Sequence, residues 1–155
     1  MSAPGTSRLV TVCRLLNQAS VKYVVVGGFA LALHGVTRAT KDVDVLVDND
    51  LDNVRRALEA LGQLPYGIAK QLTAEAVTKK TITMIGDDPR VDLLTLAWSV
   101  RYADARPRIK REVIDGVEIP YVDLDTLIRT KQTDRLQDKA DVEELERIKQ
   151  LLSPT

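Results

Sequence analysis

Apolar residues recur along the chain at two spacings, and these spacings predict helices and strands. Apolar side chains three and four positions apart predict helices at 6–18, 29–34, 51–61, 124–128 and 138–152. Short apolar, mostly β-branched runs bounded by turn residues predict strands at 21–26, 43–47, 81–85, 91–95, 110–114 and 117–121. The stretch 62–80 fits neither spacing, and Pro65-Tyr66-Gly67 marks a loop within it.

The order of these elements predicts an α+β fold with α/β character, in which helices pack on a small mixed β-sheet. We expect strand 91–95 to run antiparallel to strand 81–85, because only a short turn joins them. Asp115-Gly116, between the last two predicted strands, is typical of a two-residue hairpin turn.

Polar side chains predict where several helices begin. Thr6 or Ser7 precedes the first apolar helical pattern and is a suitable N-cap. Asp123 is placed to cap the helix at 124–128. Asp138 is expected to open the last helix, with Asp141 three residues later as its capping partner.

The length of the chain and its charge balance narrow the possible classes of protein. A length of 155 residues without repeats or a linker predicts a single domain over 1–155. Within it we expect a core at about 21–100 and a C-terminal hairpin with helices at about 108–152. The 22 basic and 22 acidic residues balance, so no overall positive field favours nucleic acid, although a local basic patch remains open.

The cysteine content and the hydropathy pattern predict a soluble cytoplasmic protein. The one cysteine, Cys13, cannot form an internal disulfide, and it lies on the apolar face of the first predicted helix. No apolar run has the length of a membrane span. Residues 1–7 are small and polar, lack the pattern of a secretion signal and are typical of a frayed tail.

Two short motifs carry the chemistry. Gly27-Gly28 follows an apolar strand and opens a helical stretch, where free backbone N–H groups can meet an anion. Asp42 and Asp44 are two positions apart at the head of the next strand, so they project from the same face. Paired carboxylates repel each other, and Mg²⁺ or Mn²⁺ would relieve that repulsion. Taken singly, the first motif could be an ordinary turn and the second a half-exposed strand.

Asp92 supplies a third carboxylate. It stands between apolar neighbours on a predicted strand, and it would join Asp42 and Asp44 if that strand lies beside 43–47. Three carboxylates can hold two metal ions and so clamp an in-line phosphoryl or nucleotidyl transfer. Asp42 and Asp44 would then hold the metal that carries a nucleoside triphosphate, and Asp92 would act as general base or second-metal ligand. The alternative is a solvent-facing strand acid.

These residues resemble a known superfamily. Gly27-Gly28, then Asp42-Val43-Asp44 after thirteen residues, then Asp92 are similar to the core of the DNA polymerase β-like nucleotidyltransferases. The segments VGGFALALHG at 26–35 and RATKDVD at 38–44 resemble the AbiEii-type toxin group and minimal nucleotidyltransferases. LIRTK at 127–131 and DKADV at 138–142 resemble the C-terminal pattern of that group.

The resemblance implies a role for each matching residue. It implies phosphate contacts from the backbone of Gly27 and Gly28, metal ligation by Asp42 and Asp44, and a catalytic role for Asp92.

The resemblance also implies contacts outside this core. Lys131 would contact the nucleotide phosphates. Arg38 could neutralise charge on the triphosphate, and the Thr40 hydroxyl could support Asp42. The chain departs from the group at 133–138, where an Arg-Pro-Lys-Asp type of loop is replaced by TDRLQD.

The sequence therefore predicts a magnesium- or manganese-dependent nucleotidyltransferase that moves a nucleoside monophosphate from a triphosphate such as ATP to an acceptor hydroxyl. The acceptor could be an RNA 3′ end, a protein or a small molecule. The toxin-group resemblance implies a toxin–antitoxin or defence role with a cognate antitoxin as partner. The lack of an apolar run of membrane-spanning length predicts no membrane partner. One alternative is a non-catalytic nucleotide-binding or partner-regulated module of the same fold, and another is a structural protein with a coincidental Asp-Val-Asp.

The remaining candidates have ordinary interpretations. His34 suits a structural or surface position at a helix end. Trp98 and Tyr102 could stack on a base, although packing is the ordinary role of such side chains. A basic cluster follows the third acid and could be a solvated face or a contact for a polyanionic acceptor; it comprises Arg101, Arg106, Arg108, Lys110 and Arg111.

Overall fold

A six-stranded mixed β-sheet organises the molecule in a computed structural model that describes residues 5–153. The strands are β1 (Tyr23–Val26), β2 (Val43–Val47), β3 (Ile82–Ile85), β4 (Val91–Leu94), β5 (Lys110–Ile114) and β6 (Val117–Tyr121). The helices are α1 (Thr6–Gln18), α2 (Gly27–Leu33), α3 (Leu51–Leu61), α4 (Ala74–Thr78), α5 (Tyr102–Ala105), α6 (Leu124–Arg129) and α7 (Leu136–Leu152). Two 3₁₀ turns lie at Ile68–Gln71 and Arg106–Arg108.

The strands follow the order β3-β4-β2-β1-β6-β5 across the sheet. β1 is antiparallel to β2 and parallel to β6, whereas β2 is parallel to β4. The predicted antiparallel pair β3–β4 and the β5–β6 hairpin around Asp115-Gly116 are both present. The predicted mixed sheet with helices packed on it is therefore confirmed.

The core forms around the central strands. Every residue of β1 is buried, as β-branched residues in the middle of a covered sheet are expected to be. α1 packs against α3 and β6, and its buried residues include Leu9, Leu16 and the predicted core thiol of Cys13. α6 packs against α2 and α7, which brings the C-terminal part of the chain next to the diglycine that opens α2. Over residues 5–153, no helix is long and apolar enough to cross a membrane.

The stretch 62–80, which the sequence left unassigned, contains one 3₁₀ turn and the short α4. Asp87, which lies after this stretch in the chain, fixes the backbone of its loop. The buried Asp87 carboxylate accepts hydrogen bonds from the backbone N–H groups of Tyr66 and Ile68. Burial alone would raise the pKa of Asp87, but these bonds and one from the Asp88 N–H hold that pKa below its ordinary value. The loop is thus ordered by a residue about twenty positions later.

Two of the predicted helix starts are wrong, and one is confirmed. The N-cap of α1 is Gly5, without a side-chain capping bond, rather than Thr6 or Ser7. α7 begins at Leu136, so Asp138 lies inside its first turn and does not cap it. The Asp123 carboxylate does accept the Thr126 N–H at the start of α6. The expected frayed tail lies partly outside the described residues, since it includes residues 1–4.

Candidate active site

Two of the predicted acids face each other across neighbouring parallel strands. Asp44 of β2 lies opposite Asp92 of β4 in the strand register, so both side chains leave the same face of the sheet. Their carboxyl groups are close enough to share a hydrogen bond. The flanking Val43, Val45 and Leu93 are fully buried, which fixes the orientation of both strands.

The third acid is held slightly apart by an arginine. Asp42 lies one residue before β2, and its side chain is 45% exposed. The Arg90 Nε atom lies 3.8 Å from Asp42 Oδ2 and 3.3 Å from Asp92 Oδ1. Among residues 5–153, no three His, Cys, Asp or Glu side chains are already arranged as one metal-binding group. Arg90, for which the sequence pattern predicted no role, thus lies between Asp42 and Asp92.

The surroundings of the Asp44–Asp92 pair raise the pKa of Asp44. Burial, the hydrogen bond to Asp92 and the charges of Asp92 and Asp42 together raise the pKa of Asp44 from 3.8 to about 7, while Lys131 opposes the shift. Two carboxyl groups in contact cannot both ionise cheaply, and a divalent cation could replace the proton that Asp44 retains. This donor set of hard oxygen atoms fits Mg²⁺ or Mn²⁺, with Asp44 and Asp92 as ligands and Asp42 as a third donor once Arg90 releases it.

The two glycines make room for side chains behind them. Gly27 has a φ of +70°, and a Cβ added there would lie 2.0 Å from Asp44 Oδ2. A Cβ on Gly28 would lie 2.8 Å from the Thr40 hydroxyl oxygen. The absence of a side chain at Gly27 therefore lets the Asp44 carboxyl reach the start of α2.

Thr40 supports the loop before β2 rather than a carboxylate. Its hydroxyl donates to the backbone carbonyl of Asp42 over 3.3 Å. It also packs against Gly28. The predicted association of Thr40 with Asp42 thus runs through the backbone of Asp42.

A buried charge cluster joins the C-terminal helices to this loop. Lys131 Nζ lies 3.0 Å from Asp141 Oδ2 and 3.5 Å from Asp138 Oδ1, and Arg38 binds the other oxygen of Asp141. The Asp141 side chain is only 1% exposed. Burial alone would raise the pKa of Asp141, but the bonds and charges of Lys131 and Arg38, with a bond from Gln137, hold it below its ordinary value.

Asp138 and Asp141 are therefore buried partners of the two predicted phosphate-binding cations and not a capping pair. A capping pair and a pair of buried ion-pair partners give the same sequence pattern, which is aspartates near the start of a helix. Only the position of Lys131 at the end of the preceding helix could have indicated the buried role.

Six of the eight predicted site residues line two separate cavities, and Gly28 and Asp42 line neither of the two. A cavity of about 280 Å³ is lined by Gly27, Asp44, Asp92 and Lys131, among others. A larger one of about 720 Å³ lies between α1, α2, β5 and the loop before β2, and its lining includes Arg38 and Thr40. We place the chemistry in the smaller cavity, because it contains the paired carboxyl groups.

His34 and Cys13, two residues noted in the sequence, lie where they support the fold. The His34 ring makes a 2.7 Å hydrogen bond with the backbone carbonyl of Val122 and packs edge-on against Tyr121. Burial raises the pKa of the Cys13 thiol to about 12, which makes it an inert core residue.

Comparisons with known proteins identify a family for the chain and structures with a similar fold. A sequence model of the family described as "Nucleotidyltransferase of unknown function (DUF6036)" matches residues 8–151. A Thermotoga maritima protein provisionally assigned as a nucleotidyltransferase has a similar fold, with a TM-score of 0.57, 16% identity and coverage of 98% of this chain and 95% of the other. An antigenic nucleotidyltransferase-like protein from Paracoccidioides brasiliensis is similar with a TM-score of 0.60, 16% identity and coverage of 100% and 80%. The comparison with curated proteins found no match.

The raised pKa of Asp44 predicts a specific pH dependence of stability in metal-free protein. Between about pH 4 and pH 7 the folded state holds a proton that the unfolded state has lost, so stability falls as the pH rises through this window. Asp44→Asn should remove up to about 1 kcal/mol per pH unit of that slope and be at least as stable at pH 8. Chemical denaturation of both proteins from pH 4 to pH 8 measures the difference. Identical slopes, or an unfolded variant, would contradict a proton-sharing pair.

The close approach of Gly27 to Asp44 predicts that the stability effects of substitutions at these two positions are coupled. Gly35 also has a positive φ, of +94°, but a Cβ there would meet nothing within 4 Å, so it is a matched control for backbone strain. Gly35→Ala should cost about 1–2 kcal/mol, and Gly27→Ala should cost clearly more. Adding Asp44→Ala should remove most of the excess in a double-mutant cycle of unfolding free energies, because only the Asp44 Cβ, 3.0 Å from the added atom, remains. Equal costs at the two glycines would show that Asp44 does not need the space.

Proposed function

The chain belongs to the DUF6036 family of nucleotidyltransferases, and we propose that it moves a nucleoside monophosphate from a triphosphate such as ATP to an acceptor hydroxyl. One observation carries the proposal: Asp44 and Asp92 face each other in register, in the same cavity as Gly27 and Lys131. A pair of half-buried carboxyl groups beside a cation and a half-buried diglycine suits a metal–triphosphate complex.

The acids would serve as ligands and as a proton acceptor. Asp44 and Asp92, with Asp42, would hold Mg²⁺ or Mn²⁺, which when bound neutralises phosphate charge and polarises the phosphoryl oxygens. In the reaction a bond forms between the acceptor oxygen and the α-phosphorus, and the bond to the pyrophosphate oxygen breaks. Asp92 would take the proton of the acceptor hydroxyl, since its carboxylate lies opposite Asp44 in the same cavity.

The cations and the diglycine would position the phosphates. Lys131 is held by Asp138 and Asp141, so its ammonium group is fixed in the cavity before a ligand arrives. Gly27 and Gly28 would offer backbone N–H groups to the phosphates. Arg38 is bound to Asp141, the carboxylate that also holds Lys131. Its proposed contribution is therefore indirect: it neutralises part of the charge of Asp141.

The acceptor and the biological setting follow from the resemblance to AbiEii-type toxins. That resemblance supports a macromolecular acceptor, such as an RNA 3′ end or a protein, in the cytoplasm. It also supports a toxin–antitoxin or defence component with a cognate antitoxin. A small-molecule acceptor is the other chemical option, because the reaction requires only a hydroxyl group.

Arg90 favours a second candidate function. Its contacts with Asp42 and Asp92 occupy the place where a third carboxylate would join the pair. A protein that keeps this contact on binding nucleotide would act as a nucleotide-binding or partner-regulated module without turnover.

Incubation with labelled triphosphates, Mg²⁺ and cell extract, followed by detection of pyrophosphate and labelled acceptor, tests the reaction. Asp44→Asn and Asp92→Asn should each lower turnover by about 100-fold or more while the protein stays folded. Asp52→Asn is the matched control, because Asp52 is 76% exposed on α3 and pairs only with Arg55. Nucleotide binding that depends on Asp44, without any pyrophosphate release, would favour the non-catalytic module instead.

The position of Lys131 predicts a difference between nucleotides. Lys131→Ala should weaken binding of a nucleoside triphosphate more than binding of the monophosphate, because the lost partner is the charge of the outer phosphates. It should also lower stability, since Asp138 and Asp141 lose a buried partner.

Titration calorimetry in Mg²⁺ with both nucleotides measures this difference. Lys149→Ala is the control, because Lys149 pairs with Asp125 at the surface. Equal losses for the two nucleotides would remove Lys131 from the phosphate site.

A further inference from the structure

Trp98, the only tryptophan of the chain, lies at the tip of a tight turn between β4 and α5. The backbones of Ala97 and Val100 exchange two hydrogen bonds of 2.9 Å, which leaves Trp98 and Ser99 as the two central residues. The Trp98 side chain is 57% exposed. The turn therefore presents a large aromatic ring to solvent.

This position is unfavourable for a tryptophan if stability alone decides. Trp98 has a φ of +57°, in the left-handed region that a bulky residue rarely adopts. Its side chain makes no hydrogen bond or ring contact with any of residues 5–153. Glycine would relieve the strain, and a polar residue would avoid the exposed apolar surface. A ligand is a physical reason for an aromatic ring here.

Trp98 lines the cavity that contains the paired acids. Ile82, Leu94 and Ala97 line the same cavity of about 280 Å³. Ile82 and Leu94 are paired across β3 and β4. Leu94 lies two residues after Asp92, so both side chains leave the same face of the sheet. An apolar wall thus continues directly from the carboxyl pair on the same face of the sheet.

Three kinds of chemistry meet in this one cavity. Carboxyl groups come from Asp44 and Asp92, cations from Lys131 and Arg135, and apolar surface from the region of Trp98. A nucleoside triphosphate bound with a metal ion presents the complementary set: a cation, a chain of phosphates and a flat base. The larger cavity, by contrast, is lined by Phe29 as its aromatic residue, and that side chain is only 3% exposed.

We propose that Trp98 forms the nucleobase subsite, on which the base of the triphosphate stacks beside Ile82. The inference rests on the proposed function, because it assigns the base of the same nucleotide whose phosphates meet Lys131. Stacking on an indole face is available to every base, so the subsite contributes affinity more than discrimination between bases.

The test compares a ligand with a base and a ligand without one. ATP and inorganic tripolyphosphate, each with Mg²⁺, are titrated into the full chain by calorimetry. ATP should quench the fluorescence of Trp98 in the unchanged protein, whereas tripolyphosphate should leave most of it. Trp98→Gly should weaken ATP binding by about ten-fold or more and leave tripolyphosphate binding unchanged. Trp98→Phe should retain most of the ATP affinity.

Stability separates a binding role from a structural one. Trp98→Gly should melt at the same temperature or higher, because glycine accepts the positive φ without strain. Tyr66→Ala is the control, since Tyr66 is 67% exposed on another loop and should change neither affinity.

The outcomes distinguish the two proposals. An unfolded Trp98→Gly protein, an equal loss for both ligands, or unchanged ATP affinity would overturn the nucleobase subsite alone, provided that the unchanged protein binds ATP. An unchanged protein that binds neither ligand would overturn the proposed function and the subsite with it.

Discussion

The contact between Asp44 and Asp92 is the constraint on which the site depends. Acids placed directly opposite each other on neighbouring strands are destabilising, and burial increases the cost. The register of β2 against β4 keeps them together, because slipping either strand by one residue would turn buried valines and leucines to solvent. The hydrophobic pattern of the sheet therefore holds the carboxyl pair against its own repulsion.

The cation of the site, Lys131, is held by ion pairs rather than by strand register. Lys131 stands at the end of α6 and is held by two carboxylates of α7, one of which also binds Arg38 in the loop before β2. A single buried carboxylate, Asp141, thus connects three separate parts of the chain. Because Asp141 is buried and its partners are charged, losing Lys131 or Arg38 would leave its charge only partly compensated in the interior.

The sequence predicted the mixed sheet, the hairpin and the two glycine and aspartate motifs because each depends on local pattern. Runs of β-branched residues form the buried strands whatever their partners are, and Asp115-Gly116 needs only its own backbone to turn. Features held from a distance were missed: the order of 62–80 depends on Asp87, and Arg90 reaches Asp42 only after β2 and β4 pair. Asp138 was assigned wrongly because an acid near a helix start can be a cap or a buried partner, and only tertiary packing decides between them.

The bond between Arg38 and Asp141 spans 103 positions of the chain. On the ribosome, β2 and β4 are synthesised before α6 and α7, so the carboxyl pair is made before the cation that faces it. Lys131 and Asp141 are added only after all six strands of the sheet have been made. The order of translation thus places completion of the phosphate-binding half after synthesis of the sheet.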